Sequence, residues 1–132
     1  MKRTEQREHI FKLIFGADFN EEAEQGTQAE LYFEQSEGAT EKDMQYISEK
    51  AQKVVEKIDE IDAMINEHTT GWKTGRMNKV DLTILRLAVY EMKWDEDVPT
   101  GVAINEAVNL AKKYSSEDGA SFVNGVLAKL AD

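Results

Sequence analysis

The chain is predicted to be all-α from two observations: a single proline in 132 residues, and apolar residues that recur every three or four positions through most of its length. One domain of this size buries roughly two-thirds of its unfolded surface, enough to fold without a disulfide or metal staple.

The elements follow in order. Around residues 4 to 16, Ile10, Phe11, Ile14 and Phe15 share a helical face, and Arg3 and Arg7 lie one turn apart on a common side. Gly16 is the expected helix end. An acidic helix is expected over residues 21 to 36, with Ala29, Leu31, Tyr32 and Phe33 inside and Gly38 as its terminator. From about 41 to 68, Met44, Ile47, Ala51, Val54, Ile58, Ile61 and Ile65 alternate by three and four, a narrow seam that reads as core packing rather than a coiled coil. The stretch Thr69 to Asn78, with Gly71 and Gly75, is the main break and the expected division between two helical subdomains. Helices then follow at 78 to 94, 99 to 114 and 116 to 131. Pro99 suits a first helical turn, and Ser115 with Asp118 forms a capping box.

Charge is unevenly distributed. The net charge is −10, which opposes nonspecific attraction to phosphate. Residues 1 to 15 carry net +2, residues 16 to 70 net −11 and residues 71 to 132 net −1. The one locally basic element is therefore the N-terminal segment with Lys2, Arg3, Arg7 and Lys12. Any RNA contact is expected to be confined and directional.

Several chemistries are excluded or unsupported. Without cysteine there is no disulfide, thiolate nucleophile or Cys-based zinc site. His9 and His68 are isolated, which leaves no metal-ligand spacing. The eight glycines form neither a P-loop nor a dinucleotide fingerprint, and carboxylate pairs in an acidic helical surface arise by chance. No catalytic, cofactor or metal site is predicted. There is no run of about 18 apolar residues and no signal-peptide pattern, so a cytoplasmic protein without a membrane partner is expected.

Trp72 with Arg76-Met77, Val80-Asp81 followed by Ile84 to Met92, Val98-Pro99, Val102 to Val108 with Leu110-Ala111-Lys112, and Phe122 to Leu127 together resemble the NusB family of transcription antitermination factors. The resemblance is specific from Trp72 onward and loose over residues 17 to 70. It implies two three-helix bundles, about residues 1 to 70 and 71 to 132, with no enzymatic activity. It further implies binding of boxA RNA together with NusE, a small-subunit ribosomal protein, and work alongside NusA and NusG on RNA polymerase, notably in ribosomal RNA synthesis. Homodimerisation occurs in parts of the family.

The resemblance also assigns residues. Lys2, Arg3 and Arg7 match the family's arginine-rich opening, although Thr4, Glu5 and Gln6 stand where basic or small residues are common. Phe122, beside Asn124 and Gly125, matches a position suited to stacking an unpaired base. Asp118 and Ser121 fall in the RNA-facing loop, where an acid tempers affinity, and Phe15 matches an aromatic near the same surface, although its position in the first helix favours ordinary core. Asp81 matches an acidic position at the NusE contact, on the exposed side of its helix. Arg86, embedded in an apolar helix, is expected to pair internally with Glu91 or Glu106, since a buried charge requires a partner. Two functional readings result: an RNA-binding antitermination factor, and a helical protein–protein scaffold with weak or lost RNA binding.

Overall fold

The computed structural model describes residues 1–17, 40–69 and 74–131. The acidic helix expected over 21 to 36, its terminator Gly38, and Trp72 lie outside the described residues. Those described form six α-helices: α1 Arg3–Ala17, α2 Glu41–Glu56, α3 Ile58–His68, α4 Lys79–Trp94, α5 Thr100–Tyr114 and α6 Glu117–Ala131, with a 3-10 turn at Thr74–Arg76. The chain divides into two compact units, Met1–Val55 and Glu56–Asp132.

In the first unit, α1 buries Ile10, Phe11 and Ile14 and leaves Phe15 half-buried, with the Phe11 and Phe15 rings 6.2 Å apart. Gly16 does not end the helix, which runs on through Ala17. Thr40 and Asp43 start α2 with a reciprocal capping box. The Thr40 hydroxyl accepts from the Asp43 N–H at 3.1 Å, and the Asp43 carboxylate accepts from the Thr40 N–H at 3.1 Å and its hydroxyl at 2.9 Å.

The seam expected to form one helix over 41 to 68 is interrupted. Lys57 adopts φ −107° and ψ 10°, and its carbonyl accepts the first bond of α3, from Ile61 N–H at 2.9 Å. The apolar alternation continues in phase across this residue, because spacing counts residues and is blind to one distorted peptide. Ile47, Ala51, Val54, Ile61 and Ile65 are buried, whereas Met44 and Ile58 are half-buried.

The second unit is built around α4. Asn78 caps it, its side-chain oxygen accepting from the N–H groups of Val80 at 2.7 Å and Asp81 at 3.4 Å. Every residue from Asp81 to Glu91 is buried. Helices α3, α5 and α6 all pack against it, and α6 also packs on α3 and α5. Closeness comes from small side chains: α5 turns Ala103, Ala107 and Ala111 inward, one per turn. Facing them, α6 supplies Ala120, Val123, Val126, Leu127 and Leu130.

The helix ends follow local chemistry. Pro99 stands at the N-cap of α5 with φ −60°, and its carbonyl accepts from Ala103 N–H. The cap of α6 is Ser116 rather than Ser115: Ser116 Oγ accepts from Gly119 N–H at 2.9 Å. Ser115 still belongs to the end of α5, its N–H bonded to Ala111 O at 2.8 Å, so it cannot open the next helix. At the far end of α6, Lys93 Nζ donates to the Leu130 carbonyl at 2.9 Å, satisfying one of the last-turn acceptors.

Arg86 lies on the buried α4. Its Nε and Nη2 donate to Asp62 Oδ1 at 2.9 Å and Oδ2 at 2.8 Å, a two-pronged pair between α4 and α3. Sequence reasoning expected Glu91 or Glu106 and did not single out Asp62, which lies 24 residues away in the chain. Removing the carboxylate leaves two N–H donors of the buried guanidinium without their acceptor. The Asp62→Ala variant should therefore lose on the order of 3 kcal/mol in denaturant unfolding, while Asp62→Ala combined with Arg86→Met should be less destabilised than Asp62→Ala alone.

Candidate nucleic-acid and partner interface

The basic end is set by α1. Lys2, Arg3 and Lys12 are exposed, whereas Arg7 is only 7% exposed and engaged within the fold. Of the three cations matched to the family's arginine-rich opening, Lys2 and Arg3 thus offer their charge to solvent. Arg7 is buried because it shares the α1 face of Ile10, Phe11 and Ile14, from which it is three, four and seven residues removed.

A carboxylate holds this end in place. Asp43, 6% exposed, accepts from Gln6 Nε2 at 2.9 Å in addition to the two Thr40 donors, and the Met1 amine stands 3.5 Å away. Hydrogen bonds from the Thr40 backbone, then from Gln6 and the Thr40 hydroxyl, outweigh the cost of burial and hold its pKa down to about 2. On α1, His9 is pushed below its ordinary value, first by burial and then by Lys12. His68 is exposed, its ring nitrogen 2.9 Å from the Met64 carbonyl. Neither histidine belongs to a metal-ligating group among the described residues.

In the second unit a cavity of about 370 Å³ opens where α4 begins and α6 begins. Asn78, Asp81, Ser115, Asp118, Gly119 and Phe122 line it. Asp81 is 9% exposed, and its Oδ1 is a buried oxygen with no hydrogen-bond partner among the described residues. Such an atom costs about 1–3 kcal/mol until a donor reaches it. Gly119 makes the close approach feasible, since a Cβ there would collide with Ser115 Oγ and lie 2.9 Å from Asp81 Oδ1. Among the described residues the cavity wall carries two carboxylates, Asp81 and Asp118, and no cation, beside the half-buried ring of Phe122.

The structure thus brings Asp81, Asp118 and Phe122 together and separates Asn124 from them. Asn124 lines a second groove of about 590 Å³ along α5 and α6, with Ile104, Asn105, Val108 and Lys112. Two helical residues after Phe122, it projects about 200° round the axis. Gly125 is exposed. The partner surface expected on α4 is reduced, because only its ends, Lys79 and Lys93, are fully exposed. Glu91 is 1% exposed and Glu106 half-buried, and both are engaged within the fold. Sequence reasoning missed Ser115 and Gly119 as parts of the cavity. The signal was present in Gly119, a turn before Phe122, but not the identity of what faces it.

The described residues thus form an all-α protein with a basic helix start and an acidic cavity beside an aromatic. No described helix is long and apolar enough to cross a membrane. The family model described as NusB family matches residues 4–132, and the chain belongs to that family, which is non-enzymatic. Its relatives include the transcription antitermination protein NusB of Agathobacter rectalis, 50% identical over 99% of this chain and 100% of that protein. That of Lachnoclostridium phytofermentans is 46% identical over the full length of both. Among solved structures, T. maritima NusB superposes with a TM-score of 0.85 at 32% identity, covering 99% of this chain and 91% of that one. NusB in a crystal structure of antitermination factors NusB and NusE with double-stranded RNA gives 0.82 at 26% identity, covering 99% and 98%.

The Asp43 cluster has a pH signature. Its folded pKa of about 2 lies below the unfolded carboxylate value of 3.8. The stabilisation is therefore complete above pH 4 and lost as pH falls towards 2. Acid unfolding followed by circular dichroism should show this loss in the wild type and a flatter curve between pH 4 and 2 in Asp43→Asn.

Proposed function

We propose that this chain is an RNA-binding transcription antitermination factor, binding the boxA element of nascent ribosomal RNA as a heterodimer with NusE and helping RNA polymerase resist termination. The observation that carries the reading is 50% identity, end to end, with a protein named for antitermination. A structural neighbour crystallised with NusE and RNA supports both partners. Within that reading the protein works in the cytoplasm beside NusA and NusG, with homodimerisation open to it as in parts of the family.

The residues take these parts. Lys2 and Arg3 meet phosphate, and Arg7 keeps α1 in place beneath them. Phe122 stacks a base, with Asn124 and Gly125 further along the same helix. Asp81 meets NusE: its unpaired oxygen beside an acidic cavity suits a donor from a basic ribosomal protein. Asp118 tempers RNA affinity at the cavity rim. Arg86, Glu91 and Glu106 hold the helices together. With two exposed cations at the start of α1 and a net charge of −10, the isolated chain should bind RNA weakly and depend on NusE.

Fluorescence anisotropy at controlled salt, with boxA and scrambled RNA and with or without NusE, tests the reading. NusE should raise affinity for boxA well above that for the scrambled strand; equal binding of the two RNAs with NusE present would leave the protein–protein scaffold reading, which the net charge favours. Arg3→Ala should weaken RNA binding and reduce the salt slope by about 0.7 with no change in thermal unfolding. Arg7→Ala should instead lower stability by about 1–3 kcal/mol in denaturant unfolding. Asp118→Asn, by removing a like charge facing phosphate, should tighten RNA binding several-fold in the same anisotropy assay.

A further inference from the structure

The family's opening segment is usually basic, and Gln6 reads by charge as a loss. Its geometry says otherwise. Gln6 lies one turn after Arg3 on α1, and its amide reaches across 37 residues to Asp43 Oδ1 at 2.9 Å. Asp43 is itself immobilised, because Thr40 donates to its other oxygen from both N–H and hydroxyl in the capping box of α2. The start of α1 is thereby tied to a fixed point in the same unit, with Lys2 and Arg3 exposed beside the tie. A lysine or arginine at position 6 would spend its charge on Asp43, whereas glutamine makes the tie and leaves the neighbouring cations unpaired with it.

We propose that Asp43 is a positioning residue for RNA binding, acting through Gln6 to hold the basic start of α1 in the conformation that meets phosphate. The proposal rests on the RNA-binding reading given above. A segment ordered in the free protein loses less conformational entropy on binding, so affinity rises without an added contact. The Asp43 carboxylate is buried and saturated with donors, which limits its repulsion of the RNA.

Electrostatics alone and positioning predict opposite signs for one variant. Removing a negative charge beside a basic segment should tighten RNA binding if Asp43 acts only through its field; if it positions, Asp43→Ala should weaken binding. The experiment measures affinity for the same RNA, with NusE present, for Gln6→Ala, Asp43→Ala, their combination and Asp43→Asn, with thermal unfolding of each. Gln6→Ala, which leaves the capping box intact, should lose about fivefold, the effect of one net hydrogen bond, with an unchanged salt slope. Asp43→Ala should also weaken binding, and the double variant should be no weaker than Asp43→Ala alone. Asp43→Asn keeps one carbonyl oxygen for Thr40 and can donate from its amide to Gln6 Oε1, so it should bind RNA more tightly than Asp43→Ala. Wild-type affinity in Gln6→Ala, or tighter binding in Asp43→Ala, overturns the proposal and leaves the RNA reading standing. If Asp43→Ala does not fold, Gln6→Ala decides by itself. A wild type that does not distinguish boxA from a scrambled strand overturns the RNA reading, and the positioning role with it.

Discussion

Helix α4 is buried along eleven successive residues, and three of those residues, Asp81, Arg86 and Glu91, are of the charged types. A helix with no solvent face cannot send such groups to water, so the surrounding elements must supply what each requires. For Arg86 the answer is Asp62, which obliges α3 to lie where its carboxylate meets both prongs of the guanidinium. The alanines of α5 bring that helix close enough to close the other side. The pair does not need to contribute much net stability to matter. Its geometry restricts which arrangements of α3 on α4 leave no stranded charge.

Asp81 is treated differently from Arg86, although both sit on the same helix. It occupies the first turn, where unsatisfied N–H groups favour a negative side chain, and Asn78 already caps them. One carboxylate oxygen is left without a donor at the wall of a cavity. Gly119 permits this by bringing the start of α6 close without a side chain in the way. Among the described residues, the buried side-chain oxygen left unsatisfied thus lies at this opening, beside Phe122 and Asp118. In the other unit the logic is reversed: Asp43 is supplied with donors from α1 and from the cap of α2, and Lys2 and Arg3 nearby are left exposed.

Much of this was legible in the residues. The boundaries of α4, α5 and α6 fall within a residue of those expected, because Asn78, Pro99 and the serines before Glu117 act through local backbone geometry. The seam from Ile47 to Ile65 identified buried positions correctly but concealed the break at Lys57. The cap of α6 was misplaced by one serine, since either hydroxyl could serve until the end of α5 claimed the Ser115 N–H. The grouping of Phe122 with Asn124 followed proximity in sequence, which a helix converts into opposite directions.

The sequence by itself determined the helical class, the apolar faces, the basic N-terminal end and membership of the family, since each rests on residue identity and short-range periodicity. Tertiary structure alone decided that Arg86 meets Asp62, that Arg7 is buried while Arg3 is exposed, that Asp81 shares a cavity with Phe122, and that Gln6 serves Asp43. These depend on how one helix is rotated and placed against another. Periodicity specifies which stripe of a helix turns inward, but not which residue of a neighbouring helix it will find there.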